Sequence, residues 1–417
     1  MKKNKIEKYS KELIKQVFKW LILSIIMGIA IGIVVGAFDR ILGFANKFRK
    51  KNQWLIYFLP IAGVIISFIY VRVKRNAYSG ENLLKSEVQS AAKDIPIYMI
   101  PVSFIGSLAT TFFGGSAGKD SAGVAMAGTF GDFLARRLKL NDGEQRTLVI
   151  SGVGAAFGVL YDTPFAGALL GMELVLKGNF HYESLIPAFF TSVISSEVSK
   201  LVGVKPIEYP QLDLGKLTCL LIVKLIILGL LFGLVGMFFN FVVDNSSKIY
   251  GLVVKNPMIK GFLGGIITIV LTLILGKNYN GLGQSIINDA FSTQSHMLHF
   301  FWKTIFTAVA LGSVFQGGRV NPTFFVGATF GSAISSFFGL PLASVAALGM
   351  IGVFCGSHAL PITAVAMAIE YFGSGEVLAI IIVMTVTYIV SGFYDILTKR
   401  ELTKEKSTLF EAAGGKN

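Results

Sequence analysis

Long apolar runs alternate with short polar or basic segments along the whole chain. A membrane-spanning helix needs about 20 consecutive, mostly apolar residues. Four runs reach that length, and they cover residues 18–38, 54–73, 218–242 and 258–276. The pattern predicts four full-length membrane-spanning helices.

Many other apolar segments are shorter and are interrupted by glycine or proline. They cover residues 96–113, 122–135, 147–160, 164–176, 185–202, 302–316, 322–338, 343–356, 361–372 and 376–393. Non-helical backbone at membrane depth is tolerated only where protein buries it or where it lines an aqueous cavity. The pattern therefore favours a transporter or channel whose broken helices surround a central site. The alternative is a set of ordinary spans with short loops.

Composition excludes the main soluble classes. Hydrophobic residues make up 53 % of the 417 residues and charged residues only 15 %, whereas soluble proteins carry about 25 % charged residues. A disordered chain is excluded, and a soluble enzyme is disfavoured. The two cysteines, Cys219 and Cys355, are too few for a disulfide framework or a cysteine-rich metal site. We expect no metal and no cofactor.

The formal net charge of +14 does not indicate a nucleic-acid partner, because the basic residues flank apolar spans. Six lysines lie within the first sixteen residues, and more basic residues lie near the other end. Juxtamembrane basic residues mark the cytoplasmic side. We expect residues 1–17 to form a cytoplasmic amphipathic helix on the membrane surface, and 401–417 to form a short cytoplasmic tail.

An internal repeat divides the chain. Residues 114–118 read Gly-Gly-Ser-Ala-Gly and 127–131 read Ala-Gly-Thr-Phe-Gly; residues 317–319 read Gly-Gly-Arg and 327–331 read Gly-Ala-Thr-Phe-Gly. The offset between the two sets is 200 residues. Matched broken helices in two halves point to the binding site of a transporter.

A second match follows in the same order. Residues 164–173 and 361–370 share the same Pro-to-Glu spacing at an offset of 197. The chain therefore reads as two homologous halves, about 18–205 and 215–400, within one transmembrane domain of residues 18–400.

Each glycine-rich bend opens an apolar helix and leaves unpaired N–H groups at the positive end of the helix dipole. Such a bend binds an anion without needing a full cationic charge. Pro322 suits the first helical turn, where its missing N–H is not needed. Asp120, in the first bend, would compete with the anion when charged and leave the site when protonated. The alternative role for Asp120 is a helix cap.

Two enzymatic readings of the first bend are weaker. It lacks the spacing and the Ser or Thr of a phosphate-binding loop. Ser116 lies in a Gly-x-Ser-x-Gly pattern but lacks the strand–turn–helix setting of a nucleophile elbow. A membrane-embedded serine hydrolase remains a remote alternative, and we expect no enzymatic activity.

These motifs together resemble the CLC family of chloride channels and anion/proton antiporters over about residues 18–400. Gly118, Lys119 and Asp120 look like the family's Gly-Arg/Lys-Glu-Gly-Pro motif, which makes Asp120 the counterpart of the gating glutamate. Residues 318–322 look like the Gly-x-Phe-x-Pro motif, whose backbone amides bind the anion. That resemblance implies an anion site formed by Gly318, Arg319 and Val320, supported by Asn321 and Pro322.

Two more parts of the site follow from the resemblance. Ser79, Gly80 and Glu81 resemble a degenerate first anion-binding motif, and Tyr394 looks like the tyrosine that closes the inner end of the central site. Several segments are nearest to the fluoride/proton antiporter branch, among them Phe-Phe-Val-Gly-Ala-Thr at 324–329.

The resemblance implies an all-α multi-pass membrane protein with two halves of inverted topology and many short, tilted helices. It further implies transport of a small inorganic anion, chloride or fluoride, coupled to H⁺. We expect a homodimer with one pore per subunit in the plasma membrane, with both termini cytoplasmic.

Four departures from the family pattern bear on coupling. The residue at the gate position is Asp120 rather than Glu. Arg319 occupies a position where the fluoride branch tends to carry an acid, and the Arg319 side chain either raises anion affinity or extends to water. Glu81 would repel a bound anion unless it points away or is protonated. Leu174 replaces the inner proton-transfer glutamate, and neighbouring Glu173 matches a structural glutamate that forms helix–helix hydrogen bonds. An alternative is therefore an anion channel without proton coupling.

Overall fold

The computed structural model describes residues 2–73, 95–175 and 182–397, with side chains described over 14–73, 95–173 and 182–392. Its described part contains fifteen α-helices and no strand. The helices are α1 Lys2–Lys51, α2 Leu59–Val73, α3 Met99–Phe113, α4 Asp120–Arg137, α5 Asp142–Tyr161, α6 Pro164–Val175, α7 Leu185–Leu201, α8 Cys219–Val253, α9 Pro257–Leu275, α10 Gln284–Asp289, α11 His299–Gly312, α12 Val320–Phe338, α13 Leu342–His358, α14 Pro361–Phe372 and α15 Val377–Leu397.

The four predicted full-length spans are present. Helices long and apolar enough to cross a membrane cover Ile14–Lys51, Gln53–Val73, Cys219–Val253 and Pro257–Leu275. The second begins with a 3₁₀ turn, Gln53–Phe58, that continues into α2. Their lipid-facing sides carry exposed apolar side chains, as a hydrocarbon solvent requires.

The N-terminal segment differs from the expectation. We expected a separate surface helix over residues 1–17, but α1 continues through that boundary without a break. No glycine or proline occurs before residue 28 to interrupt it, and lysine, leucine and glutamate favour helix continuation.

All ten predicted short segments form helices, with ends shifted by a few residues. The sequence pattern missed α10, which has only six residues, because so short a segment shows little periodicity. Short helices linked by glycine-rich turns form the centre of the molecule, and α5, α12 and α13 are its most buried members.

The two halves pack in the same way at equivalent positions. Helix α4 packs on α5, and its counterpart α12 packs on α13. Gly131 lies against the backbone of Leu148, and Gly331, 200 residues later, lies against Val345. A Cβ on Gly131 would lie 2.7 Å from the Leu148 carbonyl oxygen, so glycine permits the close helix approach that is common in membranes.

Helices α6 and α14 cap each other across the two halves. The Glu173 carboxylate accepts hydrogen bonds from Ile362 N (3.2 Å) and Thr363 N (2.9 Å) at the start of α14. The Glu370 carboxylate accepts from Phe165 N and Ala166 N, both at 2.8 Å, near the start of α6. The helix–helix hydrogen bonding predicted for Glu173 is present, because each glutamate satisfies orphan N–H groups of the other helix.

Candidate anion site

The two glycine-rich bends meet directly. Gly118 N donates to Gly318 O at 2.8 Å, and Gly318 N donates to Gly118 O at 2.9 Å, forming an isolated antiparallel bridge. Each bend leads into its own helix, α4 or α12, which begins two residues after the bridging glycine. The bridge therefore brings the first turns of the two repeat helices to one place.

The Asp120 carboxylate lies at this meeting point. Asp120 is the first residue of α4 and is 8 % exposed. Its Oδ2 accepts a hydrogen bond from Arg319 N at 3.2 Å, across the bridge in the opposite half. That N–H is one of the donors predicted to bind the anion, so the carboxylate accepts a hydrogen bond that the sequence analysis assigned to the anion.

Gly318 makes room for this carboxylate. A Cβ built on Gly318 would overlap all three carboxylate atoms of Asp120. A Cβ on Gly118 would lie 2.5 Å from Asp120 Oδ1. Close approach to the backbone is therefore the physical reason for both glycines.

Tyr161, at the end of α5, holds the other side of the carboxylate. Its hydroxyl donates toward Asp120 Oδ1 at 3.2 Å and lies 2.9 Å from Asn321 Oδ1. A tyrosine hydroxyl has one proton, so it serves one oxygen at a time unless the Asn321 amide turns its own N–H toward it. Tyr161 is buried, and Tyr371 Oη donates to its carbonyl at 2.6 Å.

The cation in each bend is paired with a carboxylate on the first helix of its own half. Lys119 Nζ lies 2.5 Å from Asp39 Oδ1 on α1, and Arg319 Nη2 lies 3.0 Å from Asp244 Oδ1 on α8. Lys119 Nζ also lies 5.4 Å from the centre of the Tyr161 ring. The Arg319 side chain, 36 % exposed, is thus ion-paired, and the two roles considered for it stay predictions.

The structure brings together most of the predicted site. The bends, Asp120 and the buried first-turn residues of α12 form one cluster; its members are Gly118, Lys119, Asp120, Gly318, Arg319, Val320, Asn321 and Pro322. Ser79, Gly80 and Glu81 lie outside the described residues. Tyr394 belongs to α15, but its side chain, like that of Leu174, is outside the described side chains.

Sequence reasoning missed Tyr161, Asp39 and Asp244. Each is a polar residue within an apolar helix, which is the one signal available in the sequence.

Ser116 is buried, with its Oγ 3.2 Å from Thr307 Oγ1. In the described part of the chain, no group of three or more His, Cys, Asp or Glu side chains is placed to hold a metal ion.

Multiple apolar spans and paired broken helices whose first turns meet are typical of a polytopic membrane transport protein. The chain belongs to the voltage-gated chloride channel family, whose model matches residues 62–392. Members are channels and transporters rather than enzymes, so the hydrolase alternative has no support.

Relatives and solved structures agree with this family. A chloride/fluoride channel protein of Pseudomonas syringae pv. tomato is 29 % identical over 91 % of this chain and 86 % of its own length. An H⁺/Cl⁻ exchange transporter, ClcA, of Yersinia pestis is 27 % identical over 80 % of this chain and 74 % of its own. The crystal structure of a CLC-type fluoride/proton antiporter superposes with a TM-score of 0.88, at 29 % identity, over 91 % of this chain and 96 % of that one.

Proposed function

We propose that this protein exchanges a small halide, chloride or fluoride, for protons, with Asp120 as the gate. The observation that carries the proposal is the hydrogen bond from Arg319 N to Asp120 Oδ2 at 3.2 Å. A carboxylate and a halide compete for the same backbone donor at the start of α12. The two relatives and the solved structure described above have chloride or fluoride in their names. Two of these names also include proton exchange.

The proposed cycle follows from charge. The ionised Asp120 carboxylate occupies the donor and excludes the anion. Once protonated, the carboxyl loses its attraction for the positive end of α12 and moves aside. An anion then binds Arg319 N. After that anion leaves, the carboxyl must lose its proton before it can return to the same N–H. Proton and anion movement are thereby linked.

The remaining predicted residues have supporting roles in this proposal. Ser79, Gly80, Glu81 and Tyr394 complete the inner side of the anion path, and Val320 supplies a further backbone donor. Lys119, Asn321 and Pro322 hold the bends, and Gly118 keeps the bridge close. Glu173 holds α6 against α14.

A channel without proton coupling is the second candidate. Arg319 places a guanidinium, paired with Asp244, beside the bend where an acid would relay protons. A cation at that position disfavours proton passage while it leaves the anion donor intact.

Flux measurements with purified protein in liposomes test both candidates. Fluoride and chloride efflux are recorded while internal pH is followed, with protein-free liposomes as the control. An anion gradient that drives protons uphill supports the exchanger. Anion flux without proton movement contradicts coupling and establishes the channel. Absence of flux of either anion contradicts both.

Assembly and location form part of the same proposal. We infer a homodimer with one pore per subunit in the plasma membrane, with both termini cytoplasmic, residues 1–17 as the cytoplasmic end of α1 and 401–417 as a tail. Two large apolar side chains at the starts of the cross-capped helices are half exposed, Phe165 at 50 % and Ile362 at 49 %. Single-molecule photobleaching in liposomes that shows one step per particle would contradict the dimer.

A further inference from the structure

A basic cavity of about 250 Å³ opens beside the ends of several helices. It lies between the end of α1, the 3₁₀ turn before α2 and the loop that joins α9 to α10. The lining residues include the cations Arg49, Lys50 and Lys277 and the polar residues Gln53, Asn280 and Ser285.

Among the residues that the structure describes, no acidic one lines this cavity. Lys50 Nζ donates to Ser285 Oγ at 3.0 Å, and Lys277 Nζ donates to Gln53 Oε1. Asp289 interacts electrostatically with Lys50, but it is not part of the ion pairs found among the described residues. Three cations with neutral partners leave an uncompensated positive charge around an open space, which attracts anions.

Arg49 is the buried member of this group. It is 9 % exposed, and its Nη2 donates to Asn46 Oδ1 at 3.0 Å. Its Nε is buried and has no hydrogen-bond partner within the described residues. A buried guanidinium without a carboxylate is costly unless something satisfies it, so the cavity needs an anionic occupant.

A second, apolar cavity of about 160 Å³ adjoins the first and shares Gln53 and Lys277 with it. Its wall includes Trp54, Tyr57 and Leu273, which are 55 %, 56 % and 68 % exposed. Tryptophan and tyrosine concentrate where the bilayer meets water. A polar, basic cavity is therefore continuous with an apolar groove on the surface of the spanning helices.

We propose that these two cavities bind an anionic phospholipid, with its phosphate group beside Arg49, Lys50 and Lys277 and the start of an acyl chain along Trp54 and Leu273. A halide would fill only a small part of the first cavity and would leave the apolar groove empty. Basic pockets between membrane helices are suited to anionic lipid headgroups. A free phosphate ion shares the headgroup chemistry but not the chain.

The site borders the first bend. Gly281 N donates to Gly114 O at 3.3 Å, and the Arg49 side chain lies beside both glycines. Lys303, fully buried, donates to Gly281 O at 2.7 Å. A lipid held at Arg49 therefore contacts the loop that supports the start of the first bend. Lipid binding at this site does not depend on which ion is transported.

Lipid binding is measured by native mass spectrometry of the full chain in detergent with phosphatidylglycerol, phosphatidylcholine or inorganic phosphate. The test variant is Lys50→Gln/Lys277→Gln, in which both side chains are exposed. The matched control is Lys216→Gln/Lys255→Gln, which removes two exposed lysines elsewhere. A Lys50→Arg/Lys277→Arg variant keeps the charge and controls for folding, and Leu273→Ser tests the groove.

We expect wild type, the control and the arginine variant to prefer phosphatidylglycerol over phosphatidylcholine. The double glutamine variant should bind phosphatidylglycerol about thirty-fold more weakly, at about 1 kcal/mol per lysine. Leu273→Ser should weaken lipid binding too. Equal phosphatidylglycerol affinity in the test and control variants would overturn the proposal. So would binding of inorganic phosphate as tight as that of lipid with no effect of Leu273→Ser, since the site would then hold a free anion.

Discussion

At the residue scale, the contact between the Asp120 carboxylate and the backbone of Gly318 and Arg319 determines what the site can do. The carboxylate accepts the Arg319 N–H and lies so close to Gly318 that no Cβ fits there. Tyr161 holds its other oxygen. These contacts come from two different elements, the second bend and α5, so a change in either should alter the proposed gate.

Removal of the carboxylate should open the path. In Asp120→Ala no group competes for Arg319 N, so we expect a passive anion leak whose rate does not depend on pH. Liposome efflux measured at several pH values checks this. Asp142→Ala, at an exposed acid, is the control. A pH-dependent rate in Asp120→Ala would remove Asp120 from gating.

A methyl group at position 318 should expel the carboxylate without removing it. Gly318→Ala would place Cβ on the Asp120 carboxylate, so we expect a leak like that of Asp120→Ala. The double variant should add little to either. Gly43→Ala, at a helical glycine with open space around it, should transport normally. A normally gated Gly318→Ala would show that Asp120 does not need this contact.

The Tyr161 hydroxyl should hold the gate closed. Tyr161→Phe removes one hydrogen bond to a carboxylate, worth about 1.5–3 kcal/mol, while the buried ring remains. We expect anion efflux at neutral pH to rise by roughly tenfold or more, since each 1.4 kcal/mol is a factor of ten. Tyr209→Phe, at a partly buried tyrosine whose hydroxyl contacts Gln284, is the control. An unchanged rate would restrict Tyr161 to a packing role.

At the element scale, broken helices need partners for their ends, and the two halves supply them to each other. The start of α6 is capped by Glu370 of α14, and the start of α14 is capped by Glu173 of α6. Within one half, those N–H groups would remain unsatisfied in a medium without water. The cross-capping therefore joins the halves as well as ending the helices.

Loss of either cap should destabilise the protein. In Glu173→Gln and Glu370→Gln one acceptor oxygen and the charge are lost, and we expect each change to cost about 1–2 kcal/mol. Because α6 and α14 share one contact surface, the double variant should deviate from additivity. Thermal unfolding in detergent, with exposed Glu208→Gln as the control, measures the effect. Midpoints equal to that of the control would show that the caps contribute nothing.

At the scale of the whole molecule, the pseudo-symmetry of the halves places one ion pair on each side of the gate. Asp39–Lys119 joins α1 to the first bend, and Asp244–Arg319 joins α8 to the second. Each long spanning helix is thereby tied to the bend of its own half. The bends can then meet at a fixed separation.

The two ion pairs should differ in strength. The Lys119 side chain is 11 % exposed and that of Arg319 is 36 % exposed, so solvent screens the second pair more. Double-mutant cycles with Asn and Gln, read by unfolding in SDS, should give a coupling of at least about 1 kcal/mol for Asp39–Lys119 and less for Asp244–Arg319. The exposed Glu197–Lys200 pair should give almost none. The reverse order would contradict this account.

The sequence by itself determined the local features. The apolar runs predicted the four long helices and ten short ones, since length and composition decide whether a segment can lie in a bilayer. The repeat and its glycines predicted both bends, and Asp120 was singled out as the acid in the first bend.

Only the tertiary structure decided which residues meet. Asp120 and Arg319 are separated by 199 residues in the chain, and Tyr161, Asp39 and Asp244 have no local pattern that names their partners. Hydrophobic periodicity records which face of a segment is buried, whereas a contact between distant segments depends on how the two halves fold against each other.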